Sequence, residues 1–196
     1  LLSLMSCVAL GCSHLGSVGL GPAIARPGGV ERSYGSELRL RHGAGSSDGE
    51  GVTLLELEGR AAVTPRASAI SLGLGPAYLR WLGPLALTGR VTPALGAQYF
   101  ARTPFASAGV HGGLSLGFVL QTSEQPWSVG PWPAAMRDPT WLTTVRERTL
   151  LTLELTGAVD AHVRGSTLAA GLLLGIAWSD EQLRKKRADV PPWFLR

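Results

Sequence analysis

Residues 108–122 alternate without a break. Val110, Gly112, Leu114, Leu116, Phe118 and Leu120 fall on one side, and His111, Gly113, Ser115, Gly117, Val119 and Gln121 on the other. A period of two over a dozen residues is the mark of a β-strand. The same pattern recurs in 166–178, where Leu168, Ala170, Leu172, Leu174, Ile176 and Trp178 oppose Thr167, Ala169, Gly171, Leu173, Gly175 and Ala177. It recurs again in 146–160, 84–100 and 68–79, and in the shorter stretches 34–42 and 52–63. Gly19-Leu20-Gly21-Pro22-Ala23 is repeated as Gly73-Leu74-Gly75-Pro76-Ala77, which points to a further strand at 17–25. Eight strands are therefore predicted. One helix-like signal remains: Ser179-Asp180-Glu181-Gln182 has the form of a capping box and predicts a short basic helix over 180–188.

The composition of the two faces limits what these strands can build. A soluble antiparallel sheet sets an apolar face against a charged, solvated one. Here the second face is mostly Gly, Ser, Thr and Ala, and charged residues make up only 16% of the 196-residue chain, against roughly 25% in an ordinary soluble domain. Small residues suit the interior of a narrow barrel, where about eight strands leave room only for side chains. The bulky aliphatic face then points outward, towards lipid. Several strands run ten residues or more, and a strand crossing a membrane needs about 9–11. The expected fold is all-β, an antiparallel up-and-down β-barrel of about eight strands over residues 17–178.

This pattern resembles that of small bacterial outer-membrane β-barrels. The resemblance covers residues 17–178 in alternation alone, with no residue-level motif, so it carries no functional residues over. It implies an outer-membrane location, membrane lipid as the main partner, and a structural or passive role without a catalytic centre. Trp81, Trp127, Trp132, Trp141, Trp178 and Trp193 lie mostly at strand ends or in connections, where such barrels carry aromatic belts. Two features depart from the family. The chain ends Trp193-Phe194-Leu195-Arg196 after two prolines, which is a poor strand. The longest connection, 123–145, falls on the periplasmic side, where turns are usually short. Two other readings stand beside this one. The first is a soluble periplasmic, lipocalin-like barrel with the aliphatic face as its core, holding a small apolar ligand. The second is a membrane-embedded lipid-modifying enzyme.

Candidate chemistry is sparse. Gly113-Leu114-Ser115-Leu116-Gly117 matches the G-x-S-x-G nucleophile elbow, but that elbow needs a sharp strand-to-helix turn. The alternation runs straight through Ser115, so Ser115 reads as a wall residue. His111 shares its face but lies about 13 Å along the strand. The four histidines, His14, His42, His111 and His162, are scattered, so no metal site is expected and no cofactor. The charged residues on the small-residue face are Arg39, Arg41, Glu56, Glu58, Arg60, Arg90, Glu154 and Asp160, accompanied by His111 and Gln98. Enclosed in a barrel they form either an ion-pair core or a polar lumen that would take a small ligand or ion, since buried charge must be paired.

The ends carry other signals. The chain begins at Leu1 rather than Met, as expected of a frame truncated at its N-terminus, and Leu1–Leu10 has the length of a signal-peptide apolar region. Ala9-Leu10-Gly11-Cys12 resembles the lipobox of bacterial lipoproteins, which implies a signal segment over 1–12 and acylation of Cys12. Residues 179–196 form a basic tail containing Arg184-Lys185-Lys186-Arg187. The remaining positive charge of this +4 chain is diffuse, which argues against nucleic acid as a partner.

Overall fold

A computed structural model describes residues 13–27, 31–47, 50–100, 103–126 and 141–186. Eight strands follow one another in the chain: β1 (Ser13–Pro27), β2 (Ser33–Ser47), β3 (Gly51–Val63), β4 (Ala67–Leu82), β5 (Leu85–Phe100), β6 (Thr103–Pro126), β7 (Trp141–His162) and β8 (Gly165–Lys186). Each pairs antiparallel with its neighbour, and β1 closes the ring on β8. The expected up-and-down barrel is the observed one.

Alternation places the small residues inside and the large aliphatics outside. Leu114, Leu116 and Phe118 of β6 are about half exposed, as are Leu153 and Leu155 of β7 and Leu172, Leu174 and Ile176 of β8. All eight strands contribute to this outer band. The soluble, lipocalin-like reading is thereby corrected: the aliphatic face is the exterior, not the core. From Leu168 to Trp178 the band rises about 25 Å, for a rise of roughly 3.4 Å per residue and a tilt near 40°. Tyr34 and Tyr99 lie at one edge of the band, and Tyr78 and Trp178 towards the other.

The two ends of the barrel differ. One, the turn end, holds the connections 28–32, 64–66, 101–102 and 163–164. The other, the terminal end, holds the start of β1, the end of β8 and the connections 48–50, 83–84 and 127–140. Positive φ angles at Gly83 (67°) and Gly165 (122°) serve the two tight turns β4–β5 and β7–β8. The longest connection lies on the terminal end, but it is shorter than the sequence reading gave. β6 extends to Pro126 and β7 begins at Trp141.

The predicted helix over 180–188 is corrected. β8 continues through Ser179–Gln182 to Lys186, paired with β7 from Trp141↔Lys186 to Glu147↔Asp180. The strand ladder satisfies the backbone groups that a cap would have served. The Glu181 side chain turns inward to Arg148, at 2.8 Å from Nη1. The segment 179–186, read as part of a tail, is therefore barrel strand; residues 187–196 and the N-terminal 1–12, with Cys12, lie outside the described residues.

The repeated Gly-Leu-Gly-Pro-Ala segment has a common structural role. The β1–β8 ladder skips from Leu20↔Leu174 to Ala23↔Gly171, and the β4–β5 ladder from Gly73↔Ala94 to Ala77↔Arg90. Each gap spans a proline, which has no N–H to donate. Within each gap, a Cβ on Gly21 or Gly75 would strike the carbonyl oxygen of Leu172 or Val91. Glycine lets the neighbouring backbones approach where the ladder is interrupted.

Candidate functional site: the charged interior

The charged side chains of the central layer come from five strands. β2 supplies Glu37, Arg39 and Arg41; β3 supplies Glu56, Glu58 and Arg60; β5 supplies Arg90; β6 supplies His111; β7 supplies Glu154 and Asp160. All are buried. Within each strand they stand two residues or a multiple of two apart, so the pleat aims them all inward. The inner walls of β1, β4 and β8 provide the space. Gly19, Gly73, Gly75 and Gly171 are among the buried inward residues there, with Leu173 of β8 as a bulky exception.

These groups bond to one another across the barrel. Arg41 makes a bidentate pair with Glu154 on the far wall, Nη1 to Oε2 and Nη2 to Oε1, both 2.7 Å. Its Nε donates to Glu58 at 2.8 Å. Arg39 donates to Glu37 and reaches Glu58 at 3.2 Å. Arg60 joins Glu37 at 3.0 Å to Asp160 at 3.2 Å. Arg90 reaches Glu154 at 3.2 Å and lies 3.4 Å from Glu56. Such charge-assisted bonds, bidentate ones above all, fix geometry as well as energy.

His111 sits between two carboxylates, with Nδ1 2.9 Å from Glu58 and Nε2 3.1 Å from Asp160. Both ring nitrogens are taken, so His111 cannot serve as a base towards Ser115. Ser115 is buried on a straight stretch of β6, with Thr88 and Glu154 as its cross-strand neighbours. The glycines of the elbow-like pattern have packing roles. A Cβ on Gly113 would collide with Glu154 Oε1, and one on Gly117 would crowd Leu150. Among the described residues no group of three His, Cys, Asp or Glu side chains is disposed to hold a metal ion.

The structure thus brings Arg39, Arg41, Glu56, Glu58, Arg60, Arg90, His111, Glu154 and Asp160 into one connected set. Gln98 stands apart from it, accepting a bond from Thr167 at 2.6 Å. Glu37, which links Arg39 to Arg60, was absent from the sequence-based set although it has the same parity as Arg39 and Arg41.

Towards the terminal end the interior changes character. Leu15, Val52, Leu54, Ala77, Leu79, Ala86, Leu150 and Ala177 form an apolar cluster, with Trp81 and Val119 packed against it. Trp81 is therefore corrected from belt to interior, and Arg148 lies over its ring at 3.7 Å. Beyond this cluster β6, β7 and β8 continue as a three-stranded flange. Its inward face carries the pairs Arg146–Glu124 (3.2 Å) and Arg148–Glu181 (2.8 Å). Burial holds the Glu181 carboxyl above its ordinary range, against the opposing pull of Arg148.

In this arrangement the donors and acceptors of the charged set are largely directed at each other, and the apolar cluster fills the barrel below it. Glu56 is the exception: neither carboxylate oxygen accepts a hydrogen bond, with Arg90 and Arg41 at 3.4 and 3.8 Å.

No protein-family model matches the chain, and no curated protein matches it. Among solved structures it is similar to Ail, the attachment invasion locus protein of Yersinia pestis, at 12% identity and a TM-score of 0.44, over 86% of this chain and 98% of that one. It is also similar to Neisserial surface protein A, at 10% identity and a TM-score of 0.48, over 87% and 97% of the two chains.

Proposed function

We propose that this chain is a bacterial outer-membrane β-barrel whose filled interior gives it a structural or surface role rather than a pore or an active site. One observation carries the reading: the barrel is inverted relative to a soluble protein, with ion pairs inside and aliphatics outside. Among the described residues 33 large hydrophobic side chains are exposed, far beyond the patch of a few hundred Å² that a soluble monomer usually shows. In lipid the backbone must be satisfied within the protein, and a closed barrel achieves this without an edge. The ionic layer and the apolar cluster lie in series along the barrel axis, so a solute would have to break one and displace the other.

Cys12 belongs to the same proposal. β1 begins at Ser13, so an acyl chain on Cys12 would enter the leaflet at the terminal end. Intact mass of the mature protein tests this: a tri-acyl increment on an N-terminal Cys12 supports it, and an unmodified N-terminus cut elsewhere refutes it.

The passive role is tested by conductance. Reconstituted in a planar bilayer, the folded chain should give no discrete channel steps. Reproducible steps, abolished when the barrel is unfolded, would show that the interior opens and that the polar-lumen reading is the better one.

A further inference from the structure

We propose that the turn end carries a binding site for the headgroup phosphates of an anionic lipid, centred on Arg26, Arg32 and Arg66. The proposal rests on the membrane reading above and adds to it a specific lipid chemistry at one rim.

The register places the first two guanidiniums together. The last step of pairing between β1 and β2 joins Ala25 to Ser33. One residue further along on each side stand Arg26 and Arg32, both exposed. Ala25 and Ser33 point inward, so alternation turns Arg26 outward and sets Arg32 beside it. Like charges facing each other across two strands are destabilising. Among the described residues neither has a carboxylate partner. Arg66 reaches the same connection from the β3–β4 turn, with Nη1 3.3 Å from Glu31. Glu31 is the only carboxylate among the described residues of the four turn-end connections. Three guanidiniums therefore share one exposed carboxylate, an excess of positive charge that an anion would balance.

Its height on the barrel identifies the anion. Arg26 is opposite Leu168 of β8 and two residues past Ile24, both in the aliphatic band. Tyr34, opposite Ile24, is 66% exposed at the same edge. The guanidiniums thus stand on the outer wall just above the apolar band, at headgroup level, where basic side chains favour anionic lipid. The terminal end is different: Asp180 and Glu147 lie on the outer surface there, near the edge of the band.

The test is lipid retention by the refolded full chain in an uncharged maltoside detergent, read by native mass spectrometry. The probes are phosphatidic acid, phosphatidylcholine and inorganic phosphate. In the R26Q/R32Q variant, phosphatidic acid binding should fall about thirtyfold, roughly fivefold for each guanidinium lost. Phosphatidylcholine retention should not change, and R26K/R32K should keep most of the binding. R66Q, in an exposed turn, should lose about fivefold. R80Q, at the terminal end, should lose nothing. Heat-modifiable gel migration establishes that each variant is folded, and R66Q and R26K/R32K decide the matter if R26Q/R32Q does not fold. Undiminished phosphatidic acid binding in R26Q/R32Q or R66Q would overturn the proposal. So would an equal loss in R80Q, which means diffuse charge, or inorganic phosphate competing as well as the lipid, which means a soluble-anion site. If the barrel is not lipid-embedded, neither lipid is retained by any variant, and the membrane reading fails rather than the arginine site alone.

Discussion

β6, β7 and β8 each pass through two environments, and the same alternating strand is written differently in each. Inside the band their outward residues are Leu114, Leu116 and Phe118, Leu151, Leu153 and Leu155, and Leu172, Leu174 and Ile176. In the flange they are Gln121, Ser123, Gln125, Val145, Glu147, Thr149, Asp180 and Gln182, polar but for Val145. The change falls at Leu120, Leu151 and Trp178, although the three strands continue paired past it. A β-bulge between Val119 and Gln121 marks the same line, just past Phe118, where β5 ceases to pair with β6. The inward faces change as well, from ion pairs closed off in the barrel to the partly open pair Arg146–Glu124, past the still enclosed Arg148–Glu181. Arg41 and Glu154 are 1% and 6% exposed, whereas Arg146 and Glu124 are 26% and 22%. Solvent, rather than strand propensity, selects the residues.

This contrast can be broken at several points. The largest effect is expected from Arg41→Ala, which leaves Glu58 and Glu154 buried without their shared partner. The loss should be about 3–5 kcal/mol, measured by urea unfolding in lipid vesicles followed by tryptophan fluorescence. Adding Glu154→Gln to that variant should restore part of it, because an uncompensated charge is removed. A loss below about 1 kcal/mol would mean that the interior is wet.

On the outer wall, Leu155→Arg should cost about 2–4 kcal/mol, the depth-dependent penalty for a cation facing the bilayer core. Gln125→Arg, on the outer face of the flange, should be neutral by the same assay. Equal costs at the two positions would erase the boundary between band and flange.

Arg146→Ala sharpens the comparison from inside the flange. Its pair with Glu124 is partly solvated, so the loss should stay within about 1 kcal/mol. Ser115→Ala is the smallest change. It should leave folding intact, and loss of a hydrolytic activity with the barrel still folded would restore the nucleophile-elbow reading.

The residues show why some of this was legible in the sequence and some was not. Alternation is local, so strand identity and the inward direction of Arg39, Arg41, Glu56, Glu58, Glu154 and Asp160 could be read directly. Those parities survive because the one bulge among the described residues, at Val119/Gln121, lies beyond His111 and Ser115 on β6. Glu37 was readable by the same rule and was overlooked. The strand at Ser179–Lys186 was not readable locally. Its four-residue capping pattern favours a helix, and only pairing with Trp141–Glu147, some forty residues earlier, overrides it. The flange was hidden for the same reason, since its outward residues have the polarity of a loop.

The central claim, that the aliphatic face meets lipid and the small-residue face does not, is tested most directly by spin labels placed one at a time along β6 of the reconstituted protein. Labels at Leu114 and Leu116 should be relaxed by a lipid-soluble agent and shielded from a water-soluble one. A label at Ser115 should be reached by neither, and one at Gln125 by the water-soluble agent alone. Water accessibility at Leu114 and Leu116, or lipid accessibility at Ser115, would contradict the account.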